Sequence, residues 1–127
     1  MTEHSNPVAP AAAKEPSGAA RQFGDFAPGL VGFTDGVLFG QVWTRPDLSP
    51  RDRSLVTVAA LTTAGNTGQL TYHLGLARQN GVTEAELIEA ITHLAFYAGW
   101  PRAMSAMTVA RQALGDEQDD EQGGTRQ

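Results

Sequence analysis

Between Thr83 and Gly99 the chain reads as one helix with two unlike faces. Thr83 followed three residues later by Glu86 is a capping-box start, and Gly99 closes the run. At 3.6 residues per turn, Leu87, Ile88, Ile91, Leu94, Ala95 and Ala98 share one side. Glu86, Glu89, His93, Tyr97 and Trp100 share the other, with Phe96 at the margin. A face turned only to water would carry Lys, Gln and Glu. An acid, an imidazole, a phenol and an indole suit a partner, either a second subunit or a small ligand. The plainer alternative is a solvated face with two stray aromatics.

The remaining helices are read from their punctuation. Residues 28–43 hold Leu30, Val31, Phe33, Val37, Leu38, Phe39, Val42 and Trp43 at spacings of three and four, which predicts a helix weakened by Gly29, Gly32, Gly36 and Gly40. Ser49, Pro50 and Asp52 supply an N-cap, a first-turn proline and an acid at the positive helix end. The helix they start is apolar all round from Leu55 to Leu61, the mark of a buried central element. Gly65-Asn66-Thr67-Gly68 is a turn, and a third helix runs from about Gln69 to Asn80 and stops at Gly81. Pro101 opens a last helix carrying Met104, Met107, Val109, Ala110 and Leu114. No segment reads convincingly as a strand, so the fold class is all-α.

The two ends differ from this middle. Residues 1–20 are rich in Ala, Pro, Ser and Gly, and residues 116–127 contain no apolar side chain. Neither composition buries enough surface to offset ordering entropy, so disordered tails at 1–20 and 116–127 are expected around a folded domain at 21–115. The acidic end also explains the net charge of −5, because its five acids and one Arg contribute −4. Residues 22–115 hold seven acids and six Arg. So neutral a middle, with no basic stripe, argues against a nucleic-acid partner. No apolar run approaches the ~20 residues that span a membrane. The beginning lacks a basic stretch leading into an apolar one, so no signal peptide and a cytoplasmic location are expected.

Chemistry-bearing residues are few. The chain has no cysteine, which removes disulfides, thiolate metal sites and thiol catalysis. Its histidines lack HExxH spacing, so no metal site is expected. His73 stands on an apolar face beside Leu70, Leu74 and Ala77. It is either a hydrogen-bonded core residue or an acid–base group tuned by burial. Glu89 and His93, at i and i+4, can touch; alone, such a pair is a helix-surface contact worth ~0.3–0.5 kcal/mol. Arg51 and Arg53 oppose the helix dipole at the start of the buried helix. Asp52 can offset them locally, or a bound carboxylate can, since Arg offers a planar fork for one.

Four separated motifs then take on a common meaning. They are Arg45-Pro46-Asp47-Leu48-Ser49-Pro50-Arg51-Asp52-Arg53-Ser54-Leu55, His73-Leu74, Asn80-Gly81-Val82-Thr83-Glu84-Ala85-Glu86, and Thr92-His93-Leu94-Ala95-Phe96-Tyr97-Ala98-Gly99-Trp100-Pro101. In this order they resemble the carboxymuconolactone decarboxylase family, over nearly the whole expected domain. The resemblance implies the all-helical fold shared with alkylhydroperoxidase D, about five to six helices in an intertwined homo-oligomer, a trimer or a hexamer, with sites near subunit interfaces. The peroxidase branch of that family carries Cys-x-x-Cys and then a histidine. Here His73 matches the histidine, but Asn66 and Gln69 stand at the cysteine positions and the relay glutamate falls near Ser54. Thiol peroxidase chemistry is therefore excluded.

The decarboxylase branch needs no thiol and no cofactor, because its substrate is its own electron sink. The resemblance thus implies a cofactor-free lyase of aromatic degradation, acting on a small carboxylated lactone of the 4-carboxymuconolactone type. The expected catalytic residues are His73, His93 and Glu89, and the expected substrate-binding residues are Arg51, Arg53, Tyr97 and Trp100. Two alternatives use the same residues: other cofactor-free proton transfer or dehydration on a small enolisable acid, and a non-catalytic oligomeric protein that binds a small molecule.

Overall fold

The computed structural model describes residues 17–122. Of the expected tails at 1–20 and 116–127, residues 1–16 and 123–127 lie outside the described residues. Among those described there are six α-helices, one π-helical segment and no strand, so the chain is all-α. The chain divides between Arg45 and Pro46 into two compact units, a boundary that falls inside the expected 21–115 domain.

The first unit contains α1 (Gly18–Phe23) and α2 (Pro28–Gly32), which runs into a π-helical segment, Phe33–Val42. Helix α1 begins inside the expected N-terminal tail because Ser17 caps it: its hydroxyl accepts from the Ala20 N–H at 3.0 Å. The same hydroxyl donates to Asp35 Oδ2 at 2.9 Å. The helix expected over 28–43 is α-helical only at its start. From Phe33 onward the ladder widens, so that Trp43 N–H bonds the Leu38 carbonyl, five residues back, at 2.9 Å. Gly40 is what admits this winding, since a Cβ there would stand 2.8 Å from the Asp35 carbonyl oxygen. Phe26, Leu30 and Phe33 remain exposed.

The second unit contains α3 (Pro50–Ala64), α4 (Thr67–Gln79), α5 (Glu84–Ala98) and α6 (Trp100–Gln122). The starts and stops follow the local signals. Ser49 accepts from Asp52 N–H, Pro50 stands in the first turn of α3, and Gly65 ends it at φ 76°. The reciprocal capping box of Thr83 and Glu86 is complete. Gly81 and Gly99 both take positive φ, at 99° and 105°. Helix α6 passes residue 115 and continues to Gln122, beyond the expected end of the folded domain.

Each helix contributes one stripe to the core. Leu70, Leu74 and Ala77 come from α4, and Leu87, Ile91 and Ala95 from α5. The stripe of α6 is mostly alanine, with Ala103, Ala106 and Ala110 buried, which lets α4 and α5 approach it closely. Helix α3 departs from the expectation of all-round burial. It buries Ser54, Val58 and Thr62 on one side and leaves Val56 exposed. The buried Ser54 hydroxyl accepts from Asn80 Nδ2 at 3.0 Å, which ties the start of α3 to the end of α4. The apolar side of α5 is likewise narrower than its sequence suggests, since Ile88 is exposed.

Candidate active site

One residue step along an α-helix turns the side chain by about 100°. The stripe next to the core stripe of α3 is therefore Arg51, Leu55 and Ala59. On α5 it is Glu86, Ala90 and Leu94, widened by Glu89 and His93. These two stripes face each other across an open groove of about 420 Å³, and together they make up its lining. Leu55, Ala59, Ala90 and Leu94 form apolar walls, and Arg51, Glu86, Glu89 and His93 supply the charge and the proton-transfer groups.

The charged end of the groove is organised by the capping box. Glu86 Oε1 accepts the Thr83 N–H at 2.9 Å, while the Thr83 hydroxyl accepts the Glu86 N–H at 3.0 Å. That leaves Oε2 of Glu86 to accept from Nη2 of Arg51. Nη1 of Arg51 donates to Asp52 Oδ1 at 3.2 Å. Hence two carboxylates share one guanidinium, and the Arg at the dipole-opposed end of α3 is offset from its own turn and from α5. The hydrogen bond from the Thr83 backbone, aided by the Arg51 guanidinium, holds the Glu86 carboxyl below its ordinary pKa.

His93 lies further along the groove, and its ring packs on that of Tyr97 at 4.9 Å. Among the described residues no hydrogen bond or ion pair joins His93 to Glu89, although both line the groove. A solvated i,i+4 contact of a few tenths of a kcal/mol does not outweigh ring packing of similar strength.

The groove thus brings together Arg51, Glu89 and His93 of the expected site and leaves four residues outside. Arg53 turns back on its own helix start, where Nε donates to the Leu48 carbonyl at 3.1 Å. Tyr97 is 78% exposed and reaches the groove only through its contact with His93. Trp100 begins α6 and packs edge-on against Phe96 at 5.2 Å. His73 is on α4, which packs on α3 and α6, whereas α3 and α5 wall the groove. It is half-buried, meets the Tyr72 ring edge-on at 5.0 Å, and burial lowers its imidazole pKa. Its apolar neighbours mark an inward face correctly; which inward surface that face meets is decided by packing.

Glu86 is the charged groove residue absent from the expected site. Its place on the polar face of α5 was visible in the sequence, but the capping box accounts for it locally and no spacing rule connects it to Arg51 on another helix.

The family model for the carboxymuconolactone decarboxylase family matches residues 28–112, which include every groove residue. The chain is 40% identical over 92 residues to a 4-carboxymuconolactone decarboxylase of Acinetobacter baylyi, covering 72% of this chain and 69% of that protein. It is 38% identical over 81 residues to a nitrosuccinic acid decarboxylase of Metarhizium robertsii, covering 64% of this chain and 57% of that protein.

Proposed function

The chain belongs to the carboxymuconolactone decarboxylase family, and from that premise we propose that it is a cofactor-free carboxy-lyase for a small dicarboxylate of the 4-carboxymuconolactone type. The names of the two relatives point to one chemistry. In 4-carboxymuconolactone the departing carboxylate sits on a carbon conjugated through an alkene to the lactone carbonyl. In nitrosuccinic acid it sits on the carbon bearing the nitro group. Each breaks a carbon–carbon bond, releases carbon dioxide and leaves the electron pair on an acceptor built into the substrate. A proton on the resulting carbanion completes the reaction. Each substrate also retains a second carboxylate.

The observation that carries this reading is the groove, in which one guanidinium and two acid–base groups stand at the edge of an apolar cleft. Arg51 is suited to the retained carboxylate. Binding the departing one tightly would stabilise the ground state and slow the reaction. The apolar walls suit the departing group, because carbon dioxide is neutral and its parent carboxylate is not. Glu89 or His93 delivers the proton, a role worth ~10²–10⁴-fold in rate.

The test is direct. Purified protein is incubated with 4-carboxymuconolactone, followed by ultraviolet absorbance, and with nitrosuccinate, followed by release of carbon dioxide. Turnover of one of them that falls at least 100-fold in His93→Asn or Glu89→Gln is expected. Neither acid reacting above a heat-killed control overturns the proposal.

A further inference from the structure

The groove contains a carboxylate that already occupies its guanidinium. Glu86 is held through Oε1 by the Thr83 N–H, and it offers Oε2 to Arg51. Arg51 takes Asp52 as a second acidic partner, so its charge is compensated twice over. Both side chains remain open to solvent, Arg51 at 37% and Glu86 at 44%. Ion pairs this exposed are weak and exchange readily. The partners also differ in what they lose on separation. Glu86 keeps its backbone anchor, because the capping box does not involve Arg51, and its exposed side chain leaves the freed oxygen accessible to water. Arg51 regains donors at a groove it lines together with Leu55, Ala59 and Leu94.

We propose that Glu86 is an internal competitor for the carboxylate receptor Arg51, displaced when a ligand carboxylate enters the groove. It rests on the proposed function only in taking a carboxylate as the ligand. Glu86 thereby sets specificity. A ligand is admitted if its carboxylate replaces Oε2 on the guanidinium while its remaining atoms cover Leu55, Ala59 and Leu94. A neutral ligand cannot open the pair. In this role Glu86 weakens binding, which is the reverse of a residue that holds Arg51 ready.

The sign of one substitution tests this. Glu86→Gln removes the negative charge and retains a side chain that the capping box accepts at this position, so the fold is expected to persist. Succinate serves as an unreactive dicarboxylate probe, titrated by calorimetry at fixed ionic strength with a melting curve for every variant. The expected result is succinate binding about two- to fivefold tighter in Glu86→Gln than in wild type, the scale of an exposed ion pair. Arg51→Gln should abolish binding. Thr83→Ala, which weakens the cap and spares the pair, should lower the melting temperature with little effect on affinity. Equal or weaker binding by Glu86→Gln overturns the proposal, as does succinate binding that survives Arg51→Gln or is undetectable in both wild type and Glu86→Gln. If the succinate pattern holds but neither activated acid is decarboxylated, the proposed function fails and the displacement stands.

Discussion

The Thr83 cap is the point at which stability of the second unit can be separated from chemistry in the groove. Two backbone donors at the start of α5 depend on side chains: Glu86 N–H on the Thr83 hydroxyl at 3.0 Å, and Thr83 N–H on Glu86 Oε1 at 2.9 Å. Thr83→Ala deletes the first acceptor and leaves the second intact, because alanine retains the N–H. The expected loss is about 1 kcal/mol. For a unit of this size that lowers the melting temperature by about 4–8 °C. Thr83→Ser preserves the hydroxyl and should melt within a degree or so of wild type. Thr83→Gly should fall between, since glycine costs only a few tenths of a kcal/mol at an N-cap. The assay is helical circular dichroism against temperature at one protein concentration, so that any association contributes equally to each variant. A serine variant as unstable as the alanine variant would refute the argument, because the hydroxyl would then not be the stabilising group. So would an alanine variant that melts with wild type.

Further outcomes follow from the same structure. Ile91→Ala, at a fully buried position of α5, should cost about 2–5 kcal/mol in urea unfolding, against about 0.5–1.5 for Ile91→Val. Burial lowers the His73 pKa, so the unfolded chain takes up the proton first as pH falls. The stability it contributes is therefore full above about pH 6.5 and declines below it, and His73→Asn should flatten that acid limb in melts between pH 7.5 and 5.5; an unchanged limb would remove His73 as its source. Gly40→Ala should destabilise the π-helical segment through the Asp35 carbonyl, whereas Gly36→Ala, which meets open space, should be neutral or stabilising; equal effects would count against the close approach. The exposed Phe96, Tyr97 and Trp100 predict self-association, and sedimentation at micromolar concentration that shows only a 13.5 kDa species would rule it out.

The starts of α3 and α5 and the glycine-marked ends were legible in the sequence because their causes lie within a few residues, whereas α4 starts at Thr67, inside the expected turn. Ser49 with Pro50, Thr83 with Glu86, and the glycines at 65, 81 and 99 act through their own turns. What depends on neighbours was not legible. The apolar circumference of α3 suggests burial on every side, yet Val56 is exposed, since composition records what a helix could bury and not how many partners it meets. The spacing of Leu30, Phe33 and Val37 suggests an α-helix, and the chain instead winds wider where Gly40 permits contact with a carbonyl five residues back. His73 and His93 look equally suited to chemistry as letters. Helix packing alone separates them, by giving His93 to the groove between α3 and α5 and His73 to a different surface.

Arg51 and Arg53 illustrate how far a local rule can lead. Both stand where the dipole of α3 disfavours a cation, so each gains from an offsetting acceptor. The violation is equal for the two, and the groove takes only one of them. Nε of Arg53 donates to the Leu48 carbonyl, five residues back, and Arg53 does not line the groove. The partner of Arg51 lies 35 residues away, on the carboxylate that caps α5, and the same side chain heads the groove stripe that Leu55 and Ala59 continue. A cation set against its own helix end, matched from another helix and open to a cleft, can change partners. That property is what binding a small carboxylate requires, and the proposed displacement assigns it to Arg51, which lines the groove.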